Sequence, residues 1–114
     1  MNQINGIDIL GTRYAIRVRN QQEDEKLKRM DGYCDTSVKL IVVFDGSVEH
    51  PEDALANIMD YRDKVLRHEI IHAFLHESGL SDCSSWDDKG QEQMVDWMAL
   101  QWHKIQEVFR SLAI

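Results

Sequence analysis

Residues 68–72 read His-Glu-Ile-Ile-His, which places two imidazole side chains four positions apart with a carboxylate after the first. On an α-helix, positions four apart share one face at about 6 Å, so His68 and His72 can converge on one metal ion. Imidazole is a zinc ligand, and a catalytic zinc keeps one position open for water. Glu69 is placed to act on that water as a general base. The motif therefore predicts a zinc-dependent hydrolase.

A catalytic zinc takes three protein ligands, so a third must come from another part of the chain. Glu92 and Asp96 lie four apart in the next helical pattern and share a face. We predict that Glu92 is the third ligand and that Asp96 is a buried acid paired with an imidazole. The alternatives are a solvated charge at a helix N-terminus for Glu92 and an exposed acid for Asp96.

Three further histidines are rejected as ligands of the same ion. His76 follows His68 by eight residues, about 12 Å along a straight helix, and His103 follows Glu92 by eleven, about 16 Å. Both separations are too long for one metal ion. His50 precedes a proline and is predicted to lie in a loop.

The first half of the chain has the short apolar alternation of β-strands. Residues 4–18 predict a hairpin that turns at Gly11, and residues 37–44 are the strongest strand pattern. The charged residues 20–31 predict a solvated loop or a short exposed helix, which ends at the turn signal Asp31-Gly32.

The second half has helical periodicity. Pro51 suits a first helical turn and Gly79 a helix end, with either one helix or a short and a long helix between them. After a loop at residues 81–89, residues 90–112 predict a second helix. Its Met and Trp stripe is predicted to pack against the sheet and the first helix. The fold class is therefore α+β, with a short, mostly N-terminal sheet packed on the H-E-x-x-H helix and a C-terminal helix.

Composition narrows the class of protein further. With 114 residues and no linker, residues 1–114 are predicted to form one domain. The longest apolar run is five residues and no secretory signal is visible, so a cytoplasmic protein without membrane contact is expected. A net charge of −7 argues against nucleic-acid binding. Cys34 and Cys83 are predicted to be reduced thiols. The oligomeric state is not predicted.

The spacing of these residues resembles that of gluzincins, the thermolysin-like zinc metallopeptidases. In that family a Glu about twenty residues after the second His is the third ligand, and an Asp four residues later holds the first His through a hydrogen bond. Here Glu92 follows His72 by 20 residues and Asp96 follows Glu92 by four. The resemblance implies Zn²⁺ as cofactor and peptide-bond hydrolysis, with Glu69 as general base on a zinc-bound water. It covers residues 68–96.

Two features depart from the gluzincin pattern. Gln91 stands where thermolysin-like enzymes have Asn, and the 18 residues after Asp96 are too few for the second domain that supplies a Tyr or His to the oxyanion. Tyr33 is a candidate for that oxyanion role. The resemblance also implies that the strand at residues 38–44 is the sheet edge that receives an extended substrate.

In size and layout the chain is similar to the ImmA/IrrE group of bacterial and phage metallopeptidases. Members of that group act on regulatory proteins, so the resemblance implies a peptide or protein substrate, with a regulatory protein among the candidates. Two alternatives are kept open. One is a non-catalytic, zinc-stabilised protein-interaction domain, and the other is a minimal zincin that is active only with a partner.

Overall fold

The computed structural model describes residues 3–83 and 85–114. It confirms the α+β class, with an N-terminal sheet followed by helices. Within these residues no helix has both the length and the apolarity needed to cross a membrane. The strands are β1 (Gln3–Ile9), β2 (Thr12–Arg19), β3 (Gly32–Asp35) and β4 (Leu40–Phe44), and the α-helices are α1 (Ile58–Ser78), α2 (Leu80–Cys83) and α3 (Asp88–Ser111). Short 3₁₀ turns lie at Glu25–Lys28 and Pro51–Asp53.

The four strands form one mixed sheet in the order β1-β2-β4-β3. The β1-β2 pair is antiparallel, β2-β4 is parallel and β3-β4 is antiparallel. Leu10 and Gly11 form the two-residue turn of the predicted hairpin, and their φ angles of 51° and 89° are those of a type I′ turn. The hairpin prediction is confirmed.

Strand β4 is the centre of the core. Ile41, Val42, Val43 and Phe44 are all buried, and consecutive strand residues point to opposite faces, so both faces of β4 are covered. The α1 helix packs on the sheet, and Leu27 of the first 3₁₀ turn belongs to the same core. This explains why the strand reads as a continuous apolar run rather than an alternating one.

The sheet edge differs from the prediction. The strand predicted at residues 37–44 exists as β4, but it pairs with β2 on one side and β3 on the other, so the expectation that residues 38–44 form the edge is wrong. The edge strands are β1 and β3. The sequence analysis did not predict β3, because Asp31-Gly32 signalled only a turn.

The helix that carries the histidines begins later than Pro51. Pro51 opens only a 3₁₀ turn, and α1 starts after Asn57, whose side chain accepts a hydrogen bond from the Asp60 N–H. Of the two predicted alternatives, the structure therefore has a short helical turn followed by a separate long helix. At the other end Gly79 has a φ of 82°, which confirms the predicted left-handed helix end.

The C-terminal helix α3 packs on α1 through a narrow contact. Only Val95 and Ala99 of α3 are buried. The prediction that its Met and Trp stripe forms core is therefore wrong for most of the stripe: large apolar side chains of α3 are exposed, among them Met94, Trp97, Trp102, Val108, Phe109 and Leu112.

Candidate metal and catalytic site

Helices α1 and α3 run antiparallel and bring their polar residues together. Glu92 at the start of α3 contacts His72, and Asp96, one turn later, contacts His68. Further along, the Arg67 guanidinium donates to the Ala99 carbonyl at 2.7 Å. The site is therefore built between two helix surfaces, and it depends on the alignment of α3 along α1.

The three predicted ligands form one cluster. The Nε2 atoms of His68 and His72 are 3.1 Å apart, and the Glu92 carboxylate oxygens lie 3.2 Å from His68 Nε2 and 2.7 Å from His72 Nε2. Ligand atoms about 2.1 Å from a tetrahedral zinc are about 3.4 Å apart. The donor set and its spacing fit a zinc ion, and among the described residues these three side chains are the group able to hold a metal.

The cluster is protected on one side and open on the other. The His68 and His72 side chains are 17% and 22% exposed, whereas Glu92 is 57% exposed. Burial lowers the pKa of His72, against the opposing effect of the Glu92 charge. A neutral imidazole is the form that binds a metal.

Glu69 is the one charged side chain that is buried among the described residues, at 8% exposed. Burial, followed by the negative charge of Glu92, raises the pKa of Glu69 to about 7. A carboxyl group with a pKa near neutrality exchanges a proton readily at physiological pH, which is the property of a general base. Glu69 and Glu92 thus have different environments: Glu69 is buried, whereas the Glu92 side chain is more than half exposed.

Asp96 lies where the prediction placed it, but it is not buried. Its Oδ1 is 3.5 Å from His68 Nδ1, on the ring edge opposite the ligand atom, and its side chain is 44% exposed. The same oxygen accepts a hydrogen bond from the Lys64 ammonium, which lowers the pKa of Asp96 and keeps it a carboxylate. Sequence reasoning missed Lys64, although it is one helical turn before His68 and therefore on the same face.

A cavity of about 600 Å³ opens onto the cluster. Its wall includes β3, which approaches α1 closely at Gly32: a Cβ there would be 2.8 Å from Val65 Cγ1 and 2.9 Å from the Val42 carbonyl oxygen. A glycine is therefore needed for this approach. The other lining residues include Cys34, His68, Glu69, His72, His76, Ser81 and Glu92.

The outer edge of β3 faces away from the rest of the sheet. The Asp31 carbonyl accepts a hydrogen bond from the Phe44 N–H at 2.9 Å. Because main-chain groups alternate in direction along a strand, the N–H and C=O of Gly32 and Cys34 point to the free edge. Both residues line the cavity. The edge next to the candidate site is thus β3 and not residues 38–44.

Tyr33 does not direct its hydroxyl at the site. The Cβ direction of Gly32 points towards α1, so the side chain of the next strand residue projects from the opposite face of the sheet. There the Tyr33 hydroxyl donates to Asp24, beside the first 3₁₀ turn. The structure gives no support to Tyr33 as an oxyanion donor.

The other residues that the sequence analysis considered lie outside the three-ligand cluster. His76 lines the cavity and is 38% exposed. Gln91, where the gluzincin pattern has Asn, accepts a hydrogen bond from the Ser81 hydroxyl at 3.1 Å and so ties α2 to α3. Cys34 and Cys83 are both free, and burial raises the pKa of Cys34 to about 12, so it is a thiol at neutral pH.

Comparison with protein-family models, with curated proteins and with solved structures finds no significant match to this chain. The resemblance to gluzincins therefore rests on the spacing of a few residues. The function must be argued from the geometry of the site itself.

Proposed function

We propose that the protein is a zinc-dependent metalloendopeptidase, with His68, His72 and Glu92 as zinc ligands and Glu69 as general base. The observation that supports this most is the convergence of three ligand side chains next to a buried carboxyl group whose pKa is raised to about 7. A site that only stabilised the fold would be closed by a fourth protein ligand. In this cluster Glu92 is more than half exposed, and one side is open to a cavity.

The proposed reaction is the addition of water to a peptide carbonyl. When bound, zinc supplies a Lewis acid that polarises the carbonyl and acidifies the attacking water. Glu69 accepts the proton of that water as the C–O bond forms, and it then delivers the proton to the amide nitrogen as the C–N bond breaks. The second proton of the water passes from the new carboxyl group to the released amine, so the products are a carboxylate and an ammonium group, and Glu69 returns to its starting state.

The free edge of β3 supports a peptide or protein as the substrate class. An extended segment that lies along Gly32 and Cys34 can pair with their outward N–H and C=O groups as an additional strand. This places the main chain of the segment across the cavity and next to Glu69, since Gly32 lies against α1 at that residue. A regulatory protein with an exposed extended segment fits this binding mode. Because the pairing uses main-chain groups, it needs no specific side chain on the substrate. We also propose that the protein cleaves this substrate in the cytoplasm.

One observation favours the alternative of a zincin that is active only with a partner. Tyr33, the tyrosine at the cavity wall, is held by Asp24 on the far face of the sheet, which leaves the oxyanion without that donor. A partner that supplies a donor would then complete the site. The non-catalytic interaction domain is the other alternative. It needs neither Glu69 nor an open coordination position on the metal.

Zinc content and hydrolysis, measured together, test the proposal. The probes are zinc alone, by elemental analysis, and a mixture of fluorogenic peptides. We expect about one zinc per chain in the wild type, loss of zinc in His72→Ala and depletion in Glu92→Ala. Glu69→Gln is expected to keep its zinc and lose at least about 100-fold in turnover. Glu107→Gln, an exposed position paired with Arg110, is the matched control that changes neither quantity.

The outcomes separate the three hypotheses. A wild-type protein that binds no zinc, or hydrolysis that survives Glu69→Gln, rejects the proposal. Zinc binding without hydrolysis by the wild type, followed by hydrolysis when a partner protein is added, supports the partner-dependent zincin. Zinc binding with partner binding that is unchanged in Glu69→Gln, and no hydrolysis under either condition, supports the interaction domain.

A further inference from the structure

The second half of α3 receives little cover from the rest of the described structure. Ala99 is the last buried residue of the helix, which continues to Ser111. Beyond Ala99, Trp102, Val108, Phe109 and Leu112 are between 45% and 64% exposed. This uncovered part, residues 100–111, has 12 residues, and isolated helices of about that length are marginally stable in water. An apolar helix face ordinarily packs against a partner. The exposed apolar face of α3 is therefore the feature of the molecule that the proposed function leaves unexplained.

The residues of this face have the spacing of a helix-packing seam. Met94, Met98, Gln101, Ile105, Val108 and Leu112 are separated by four, three, four, three and four positions, and we call them the α3 stripe. Alternating three and four spacing is the a/d pattern of two helices that pack side by side. Gln101 is the one polar member of the stripe.

The area of the exposed face is sufficient for an interface. Trp97, Trp102 and Phe109 flank the stripe with about half of their surface in solvent, and at roughly 150–250 Å² per aromatic side chain they expose on the order of 300 Å². Met94, Val108 and Leu112 bring the exposed apolar area to on the order of 600 Å² per chain, the upper end for a monomer. A standard interface buries about 800 Å² per partner, of which roughly 65% is apolar in homodimers, so on the order of 500 Å² of apolar area is sufficient.

We propose that two copies of this chain associate through the α3 stripe as an antiparallel helix pair with twofold symmetry. A twofold interface needs a patch that is complementary to itself. The stripe meets this condition about an axis level with residue 103, because it then pairs Met94 with Leu112, Met98 with Val108 and Gln101 with Ile105 of the second copy. Each of the six positions thus has a partner in the second copy, and no apolar member of the stripe faces solvent.

The dimer leaves the candidate metal site open. Each helix residue turns by about 100°, so Glu92 and Asp96 project roughly 160–200° away from the centre of the stripe. The side chains of Val95 and Ala99, which contact the body of the molecule, also point away from it. Association through the stripe is thus independent of zinc and of hydrolysis, and its failure would not affect the proposed function.

The test is the molar mass in solution, by sedimentation or light scattering, for the wild type and three α3 variants. We expect the wild type at about 100 µM to have twice the mass of the 13.3 kDa chain and to dissociate on dilution. Ile105→Glu and Val108→Glu place a charge in the seam and are expected to raise the dissociation constant at least about 100-fold. Gln106→Glu adds the same charge at an exposed position outside the stripe, and it is expected to remain a dimer.

Circular dichroism is used to check that each variant is folded. Both seam positions lie outside the buried core, so folding is expected to be retained. A monomeric wild type at about 100 µM overturns the proposal. A dimer that persists in both Ile105→Glu and Val108→Glu also overturns it, because the two chains then associate through another surface. Equal dissociation of Gln106→Glu would show a general charge effect and would likewise count against the stripe.

Discussion

At the scale of single residues, the candidate site is organised around the two ring nitrogens of His68. Its Nε2 faces His72 and Glu92, while its Nδ1 faces Asp96. Asp96 in turn is held by Lys64, which stands one turn before His68 on α1. A partner on the second nitrogen fixes the tautomer and the ring orientation of a metal-binding histidine. We therefore predict that Lys64 is a positioning residue, because it contacts the carboxylate that contacts the ring.

The first prediction concerns this lysine. Replacement by Met keeps the length of the side chain and removes its charge, so Asp96 is freed from one of its two partners. We expect Lys64→Met to weaken zinc affinity about tenfold, the lower end of the effect of removing a partner of a metal ligand. Competition with a chromophoric chelator measures the affinity.

Two variants control this experiment. Lys64→Arg restores a positive donor and is expected to recover most of the affinity. Lys104→Met removes an exposed lysine outside the site, and it is expected to have no effect. Zinc affinity that is equal in Lys64→Met and the wild type would show that Asp96 holds the ring without help.

The sequence was sufficient to predict that His68, His72 and Glu92 cluster, but it did not predict the contact of Lys64 with Asp96. The positions of His68, His72 and Glu92 follow from helical spacing and from the distance to the next helix, which are local properties of the chain. Lys64 has the right spacing too, but lysines occur on most exposed helix faces, so spacing alone does not single it out. Its role depends on the alignment of α3 with α1, and no pattern in either helix specifies that alignment.

At the scale of elements, one acidic residue joins the site helix to the sheet. Glu77, in the last turn of α1, accepts hydrogen bonds from the Thr12 hydroxyl at 3.0 Å, the Tyr14 hydroxyl at 2.7 Å and the Lys39 ammonium at 2.8 Å. Lys39, followed by Tyr14, lowers the pKa of Glu77 from 4.5 to about 2. Two donors from β2 and one from the turn before β4 thus stabilise the charged form of one carboxyl group.

The second prediction is a dependence of stability on pH. The folded-state pKa of Glu77 is lower than the unfolded one, so the unfolded chain binds the proton first as the pH falls. The stabilisation by Glu77 is therefore present above about pH 5 and is lost between about pH 5 and pH 2. We expect the thermal midpoint of the wild type to fall across this window, and that of Glu77→Gln to be lower at pH 7 and to fall less steeply below pH 5.

The matched control is Glu107→Gln, since Glu107 is exposed and forms an ion pair with Arg110 in the same helix. It is expected to follow the wild-type curve, because an exposed ion pair contributes little. If the two variants had parallel curves, the acid sensitivity would arise from other carboxylates.

The errors of the sequence analysis at this scale have a common cause. The strand at residues 40–44 was predicted from its own composition, but its place inside the sheet depends on β3, a strand of four residues with one β-branched or aromatic member. Such a strand forms because Gly32 permits a close approach to α1 and because β4 offers it a partner. Neither condition is visible in residues 32–35 alone, and so the edge was assigned to the wrong strand.

At the scale of the whole molecule, the site and the docking of α3 depend on each other. The amphipathic pattern of residues 90–112 predicted the helix correctly, but amphipathicity does not specify which surface covers the apolar face. In the structure, α3 contributes only Val95 and Ala99 to the buried interior. The polar contacts of Glu92, Asp96 and Ala99 with α1 therefore make up much of what aligns the two helices.

The last prediction follows from this arrangement. Because the proposed zinc ion would be shared by α1 and α3, it should stabilise the docking of α3 more than it stabilises the sheet. At a free zinc concentration of about 100 times the dissociation constant, binding adds about 2.7 kcal/mol to the free energy of unfolding. Without zinc, the weakly packed α3 is expected to open locally at lower free energy than the core strands.

Amide hydrogen exchange measures both effects. We expect zinc to slow exchange in residues 88–99 by at least about tenfold and to bring their protection towards that of β4, with a rise in the thermal midpoint. Glu69→Gln, which keeps all three ligands, should respond as the wild type does, whereas His72→Ala should not respond. Since Glu69 is proposed to act in hydrolysis and not as a metal ligand, this comparison separates metal binding from catalysis. Protection that rises equally in α3 and β4 would mean that α3 is docked without the metal, and that its contact with α1 is stronger than its two buried side chains indicate.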